Sequence, residues 1–160
     1  MKKVIVLSDT HGNLKGLEKL YPLMDENDYI LHLGDGMAEA RTILSQYPEK
    51  TYLCAGNCDI LSLLPDEDVL EVEGVRIFYC HGHHYGVKST LTRLAKQAKS
   101  KDCTIALYGH THVAKIDEID GVTLINPGTM SYALGKGGTY CYLVLHKGKA
   151  TPVLVGDGLR

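Results

Sequence analysis

The 160-residue sequence contains no tryptophan, one phenylalanine and no apolar run of transmembrane length. Its five cysteines are odd in number and form no C-x-x-C pair, which argues against a disulfide framework and favours a reducing compartment. The formal net charge is only -2, so the chain has neither the basic field that directs proteins to nucleic acid nor an acidic tail. These absences leave an ordinary globular domain.

The first ten residues, MKKVIVLSDT, begin like a signal peptide, with two lysines before an apolar run. The run ends at Ser8 and Asp9, which is too short for the hydrophobic region of a signal peptide. We therefore expect a cytoplasmic protein with no membrane partner, and a single domain over residues 1–160.

The first third of the chain alternates strand and helix patterns. Val4 to Leu7 is a continuous β-branched and apolar run, typical of a strand buried on both faces. Apolar residues at helical spacing from Leu14 to Met24 predict a helix, DYILHLGD a second strand, Met37 to Tyr47 a second helix, and TYLCAGNCD a third strand. This order predicts a parallel sheet with right-handed crossovers.

The rest of the chain favours hairpins. Turn signals at Glu73-Gly74, Asp120-Gly121 and Lys147-Gly148 each join two strand patterns. Lys88 to Lys101 reads as a helix, followed by a strand from Thr104 to Tyr108. We expect two sheets packed face to face with helices outside, one sheet mixed and the other mostly antiparallel.

Residues of metal-ligand type follow strand after strand. The residues concerned are Asp9, His11, Asp35, Asn57, His81, His110 and His112. Because the carboxyl ends of strands in open α/β sheets meet at one edge, we expect these scattered side chains to converge. Each fragment has a structural alternative: Asp9 can cap a helix, Gly34-Asp35-Gly36 can form a turn, and Asn57 can adopt a left-handed conformation.

The set as a whole favours metal binding. Imidazole and carboxylate without thiolate suit divalent ions such as Mn²⁺, Fe²⁺, Ni²⁺ or Zn²⁺. Seven ligands are too many for one catalytic ion that keeps a position open, and two ions sharing a carboxylate fit the number better.

Five short motifs in order resemble the calcineurin-like metallophosphoesterase superfamily. They are DTH from Asp9, GD at Gly34, GNCD from Gly56, HGH from His81 and GHTH from Gly109. The order, the length and a late NPGT from Asn126 are similar to the small YfcE-like phosphodiesterase branch. The resemblance covers almost the whole chain.

This resemblance implies an α/β (α+β) fold, a four-layer αββα sandwich of two mixed β-sheets flanked by helices. It also implies two ions, of which one is held by Asp9, His11, Asp35 and His112. The other takes Asp35, Asn57, His81 and His110, so that Asp35 bridges the pair. The implied cofactors are two divalent ions, Mn²⁺ first, with Ni²⁺, Fe²⁺, Zn²⁺ and Mg²⁺ as alternatives.

The implied activity is a phosphodiesterase in which a hydroxide bridging the ions attacks phosphorus in line, with Asp35, Asn57 and His83 as catalytic residues. The substrate is expected to be a small phosphodiester. Nucleic acid is expected only in the form of a nucleotide-type substrate. Many superfamily members carry a histidine proton donor where this chain has Cys58. A neutral thiol is a poor substitute, which predicts good turnover only of esters with acidic leaving groups. His83 and His84 are candidate donors or phosphate contacts, and loop histidines facing water are the alternative.

Two other functions compete with this one. The retromer subunit of vesicle sorting resembles the same fold and serves mainly as a binding surface, but several of its metal positions are altered, whereas all are present here. A phosphomonoesterase is chemically close. Relatives of this shape are often homo-oligomers, so a dimer or tetramer is expected by resemblance. Specificity should come from the loops Leu61 to Asp68, His83 to Lys88 and Asn126 to Lys136, from which the substrate cannot be read.

Overall fold

A computed structural model describes residues 1–131 and 138–156 of the chain. The strands are β1 (Lys2–Leu7), β2 (Tyr29–His32), β3 (Thr51–Leu53), β4 (Glu67–Val72), β5 (Val75–Cys80), β6 (Ile105–Leu107), β7 (Lys115–Ile119), β8 (Val122–Asn126), β9 (Thr139–His146) and β10 (Lys149–Gly156). The helices are α1 (Leu14–Glu18), α2 (Tyr21–Glu26), α3 (Met37–Gln46) and α4 (Thr92–Ser100), with one turn of 3-10 helix at His83–Tyr85. The five residues 132–136 of the third predicted specificity loop lie outside the described residues.

The strands form two five-stranded sheets, in the orders β10-β9-β1-β2-β3 and β4-β5-β6-β8-β7. Both sheets are mixed, as the resemblance implies. The expectation from turn signals that the second sheet is mostly antiparallel is wrong: β5 pairs with β6, and β6 with β8, in parallel. For β5 and β6 the reason is that α4 connects them as a crossover, which returns the chain in its original direction. For β6 and β8 the reason is that β7 takes the edge position and β8 returns antiparallel to it, beside β6.

Alternating side chains on the strands separate the core into three layers. Val4 and Val6 of β1 face the second sheet, whereas Ile5 and Leu7 face the helices, and all four are fully buried. Phe78 of β5 packs beneath α4 in the third layer. This arrangement is the four-layer αββα sandwich, with helices covering the outer face of each sheet.

Two predicted helices have different boundaries in the structure. The single helix predicted from Leu14 to Met24 is instead α1 and α2, because Pro22 lacks the N–H that a continuous helix requires and is tolerated only in a first turn. The helix predicted from Lys88 starts only at Thr92, since residues 86–89 form turns that begin at Gly86, which has a φ of 62°.

Among the described residues, the helices are all too short or too polar to cross a membrane. The parallel strands β1, β2 and β3 end at the same edge of the first sheet, and β5 and β6 end together in the second. The loops that follow these five strands carry the predicted ligands.

Candidate metal centre

Asp9, directly after β1, is the most heavily constrained of the predicted ligands. Its Oδ2 accepts hydrogen bonds from the Ser8 hydroxyl at 2.5 Å and the His110 backbone N–H at 3.1 Å. Its Oδ1 lies 3.1 Å from Nε2 of His112 and 3.5 Å from Nε2 of His11. Oδ1 is buried and has no hydrogen-bond partner among the described residues. One oxygen thus fixes the loop, and the other faces two imidazoles.

A second group forms around Asp35 in the loop after β2. Nε2 of His81 lies 3.2 Å from Oδ2 of Asp35 and, like the free oxygen of Asp9, is buried without a hydrogen-bond partner in the described residues. Nδ1 of His81 lies 2.7 Å from the carbonyl oxygen of Leu33, so the ring donates there and presents the Nε2 lone pair to the cluster. The ring of His110 is centred 5.1 Å from that of His81.

The potential ligand atoms fall into groups of three residues, two of which consist only of predicted ligands. In the set Asp9, His11 and His112 they lie within 4.8 Å of one another, and the same holds for Asp35, His81 and His110. His11 also lies 3.8 Å from Oδ2 of Asp35. Six of the seven predicted ligands therefore meet in one cluster.

The backbone of this cluster is strained. Ten described non-glycine residues have a positive φ, and five of them are predicted ligands. These five are Asp9 (53°), His11 (41°), Asp35 (59°), His110 (70°) and His112 (63°). A left-handed conformation costs a side-chain-bearing residue about 1–3 kcal/mol and concentrates at functional sites.

Glycines beside the ligands allow the loops to approach closely. A Cβ on Gly56 would overlap Oδ1 of Asp35, and a Cβ on Gly109 would overlap the Ser8 hydroxyl and Oδ2 of Asp9. Glycine is therefore required at both positions by packing against a carboxylate, which explains the glycine-rich motifs of the sequence.

Asp59 holds the Asp35 loop against the loop after β3. Its carboxylate accepts the backbone N–H groups of Asp35 and Gly56, both at 2.8 Å, and of Gly36 at 3.2 Å. The sequence suggested Asp59 as an indirect support for a ligand, and the structure places it in that position.

His32 and Asn126 are supports whose precise roles the sequence did not indicate. Nδ1 of His32 accepts from the Gly34 N–H, and its Nε2 lies 3.0 Å from the Thr10 hydroxyl, so one buried ring joins two ligand loops. The pKa of His32 is lowered by burial, so the ring is neutral. The buried amide of Asn126 donates to the Gly109 carbonyl and the Thr111 hydroxyl and fixes the His110 loop. Each of these residues ends a largely apolar strand, β2 or β8, and that position was the only sequence feature that could have indicated a supporting role.

Three further predicted residues lie at the edge of the cluster. Asn57 is exposed on the loop after β3, and its amide donates to Sγ of Cys58 at 3.6 Å. The Cys58 N–H donates to Oδ1 of Asp35 at 2.8 Å, and its thiol lies within 4.8 Å of ligand atoms of His11 and Asp35. The ring of His83 is centred 5.4 Å from His81, and its Nδ1 is buried with no partner in the described part of the chain. His83 thus lies beside the centre, whereas His84 is exposed and 3.7 Å from Asp66.

The charges of the cluster favour a cation. Burial raises the pKa of Asp35, but the adjacent His81 imidazole and the hydrogen bond from the Cys58 N–H outweigh burial, and the pKa falls well below its usual range. Burial lowers the pKa of His81, but the carboxylates of Asp35 and Asp9 beside the ring outweigh burial and raise the pKa. Burial, followed by the charges of His81 and Lys88, lowers the pKa of His110. An ionised Asp35 carboxylate therefore faces an imidazole nitrogen in a buried position.

The donor set fits divalent metal ions. Two buried ligand-type atoms, Oδ1 of Asp9 and Nε2 of His81, face the cluster without a hydrogen bond in the described residues, and unpaired buried polar atoms are costly. A cation would satisfy both. Imidazole nitrogens and carboxylate oxygens are suitable ligands for Mn²⁺, Fe²⁺, Ni²⁺ and Zn²⁺.

Comparison with known proteins shows the same family throughout. Residues 1–148 match the model of the calcineurin-like phosphoesterase superfamily domain. A probable metallophosphoesterase of Mycoplasma pneumoniae is 34% identical, with 93% of each chain covered. The phosphodiesterase YfcE of Escherichia coli K12 is 28% identical over 86% of this chain and 83% of its own.

The fold also occurs in a solved structure of a vesicle-sorting protein. Vps29 of Entamoeba histolytica, crystallised with zinc, superposes with a TM-score of 0.74 at 20% identity, covering 97% of this chain and 98% of its own. At that identity the likeness concerns the fold alone.

Proposed function

The chain belongs to the calcineurin-like phosphoesterase superfamily, and on that premise we propose that it is a phosphodiesterase with two divalent ions. Asp9, His11, Asp35 and His112 would hold one ion, and Asp35, Asn57, His81 and His110 would hold the other. Mn²⁺ is the first choice of metal.

The observation that carries this proposal is the pairing of two ligand groups across Asp35. Oδ2 of Asp35 lies 3.2 Å from Nε2 of His81 on one side and 3.8 Å from Nε2 of His11 on the other. A carboxylate between two sets of imidazoles is suited to serve both. When bound, two divalent ions would supply an activated water and would stabilise negative charge on the phosphate oxygens.

The protein's own residues prepare this chemistry. The Leu33 carbonyl fixes the His81 ring with Nε2 toward the centre, and the Ser8 hydroxyl and His110 N–H orient Asp9. These contacts keep the ligands in place before substrate arrives, so little reorganisation accompanies the reaction.

The residues near the substrate side favour diesters with acidic leaving groups. Burial and the nearby Asp35 charge raise the pKa of the Cys58 thiol, so it stays protonated and uncharged at neutral pH. A neutral thiol gives up its proton far less readily than an imidazolium. The leaving group must therefore depart with little help, and His83 is the remaining candidate donor beside the centre.

A binding scaffold of the Vps29 type is the second candidate, because Vps29 shares the fold. The strained ligands and the unpaired buried atoms favour catalysis, since a scaffold gains nothing from keeping them.

The decisive test is metal-dependent activity. Protein stripped with chelator and reloaded with Mn²⁺, Ni²⁺, Zn²⁺ or Mg²⁺ should hydrolyse bis(4-nitrophenyl) phosphate faster than 4-nitrophenyl phosphate, and Asp35→Asn should abolish the activity. No hydrolysis of either ester with any metal would support the binding-scaffold function. Faster hydrolysis of the monoester would identify a phosphomonoesterase.

A further inference from the structure

A cleft of about 480 Å³ opens beside the metal centre, between the turns that precede α4 and strand β7. Thr111, which stands between His110 and His112 in the chain, is part of its lining. The cleft is within the size range of small-molecule sites and larger than a simple alkyl group requires. A substrate whose phosphate lies at the metal centre could extend directly into it.

Lys88 gives one wall of the cleft a positive charge. Lys88 lines the same cleft as Thr111, the residue between His110 and His112. Lys88 forms no ion pair within residues 1–131 and 138–156. A free ammonium in this position favours the anionic phosphate of a substrate.

The wall of the cleft that β7 forms carries two carboxylates, those of Asp117 and Glu118. Lys115 pairs with Oδ1 of Asp117 at 3.3 Å, whereas Oδ2 of Asp117 is buried and has no hydrogen-bond partner among the described residues. Asp117 and Glu118 therefore offer carboxylate acceptors, which attract hydroxyl or amine donors and repel a second anionic group. Apolar side chains, among them Val87 and Val113, provide surface for a ring.

We propose that this cleft is a subsite for one ester substituent of the phosphodiester, and that it takes an uncharged group of nucleoside size. The inference rests on the proposed function and adds a substrate class to it. Ring surface fits a base, carboxylate acceptors fit sugar hydroxyls, and Lys88 fits the bridging phosphate.

The test compares two esters with the same leaving group, thymidine 5′-(4-nitrophenyl phosphate) and methyl 4-nitrophenyl phosphate. Ser89 lines the cleft and is exposed, so Ser89→Trp fills the cleft without disturbing the core. Ser45→Trp, at an exposed position on α3, is the matched control. We expect the wild type to show a KM about tenfold lower for the thymidine ester. Ser89→Trp should remove that advantage and leave the methyl ester unchanged, and Ser45→Trp should alter neither.

Equal KM values for the two esters in the wild type, or equal effects of Ser89→Trp on both, would overturn the subsite while leaving the phosphodiesterase intact. Failure to hydrolyse either ester would instead contradict the proposed function. In that case the subsite is tested by titrating thymidine 5′-monophosphate into the protein and following the changes in NMR chemical shifts. Binding that Ser89→Trp weakens supports the subsite, and its absence in the wild type refutes it.

Discussion

Nε2 of His11 and Nε2 of His112 lie 3.3 Å apart, although 101 residues separate them in the chain. Both nitrogens also face Oδ1 of Asp9, at 3.5 and 3.1 Å. One ring can donate its Nε2–H to the other, whereas a shared cation would be bound by both nitrogens and by the carboxylate oxygen. The loops that carry these rings are therefore arranged for a positively charged partner.

Metal binding should raise thermal stability. A ligand that binds only the folded chain at 100 times its Kd adds about 2.7 kcal/mol to the free energy of unfolding. For a chain of this length each kcal/mol shifts Tm by about 2–4 °C, so Mn²⁺ should raise Tm by roughly 5–10 °C. Differential scanning fluorimetry with and without chelator measures this. His146→Ala, at an exposed position on β9, should keep the full shift, whereas His112→Ala should lose most of it.

Removal of the Asp59 carboxylate should weaken metal binding although Asp59 is not expected to be a ligand. Asp59→Ala leaves three backbone N–H groups of the ligand loops without their acceptor. Loss of such a support costs about 10–100-fold in metal affinity. Calorimetric titration with Mn²⁺ measures the loss, with the exposed Asp68→Ala as control. Equal affinity of the two variants would show that Asp59 does not position Asp35.

A methyl group on Gly109 should damage the metal site, whereas a methyl group on Gly121 should not. Gly109→Ala pushes against the Ser8 hydroxyl and Oδ2 of Asp9, and we expect at least a tenfold loss of Mn²⁺ affinity. Gly121→Ala is the control: its φ of 79° makes alanine unfavourable by about 1 kcal/mol, but a Cβ there meets nothing within 4 Å. It should lower Tm and leave metal affinity unchanged, which separates stability from site geometry.

Replacement of Cys58 by histidine should change which esters are hydrolysed. The thiol lies within 4.8 Å of ligand atoms of His11 and Asp35 and is uncharged at neutral pH. A protonated imidazole there can donate to the leaving oxygen, an effect typically worth about 10²–10⁴-fold. Cys58→His should therefore accelerate the hydrolysis of esters with alkyl leaving groups and affect that of aryl esters little. Cys58→Ser should leave the ratio of the two rates unchanged. An unaltered dependence of kcat/KM on leaving-group pKa would refute a donor role for position 58.

The sequence was sufficient to predict the fold and the convergence of ligands. Alternation of buried residues and turn signals gave most strands, and the ends of neighbouring parallel strands share an edge, so Asp9 was expected beside Asp35, and His81 beside His110. The parallel pairing of β6 with β5 and with β8 was not predictable from hairpin signals, because it depends on the α4 crossover and on the edge position of β7.

The finer support of the site was beyond sequence reasoning because it depends on contacts between distant residues. His32 joins the loops after β1 and β2, and Asn126 fixes the His110 loop, yet each resembles an ordinary polar residue of a strand. The strained φ angles of five ligands also follow from packing of loops rather than from local residue preference. Self-association, cytoplasmic location and the metal used in the cell stay predictions.

The most direct test of the two-ion centre is the number of metal ions bound per chain. Metal-stripped protein titrated with Mn²⁺ by calorimetry, with bound metal counted by plasma mass spectrometry, should take up two ions per chain, and diesterase activity should follow the second. Asp35→Asn, which alters the carboxylate between both groups, should reduce affinity for both ions. Saturation at a single ion with full diesterase activity, or two-ion binding that Asp35→Asn leaves unchanged, would contradict the account.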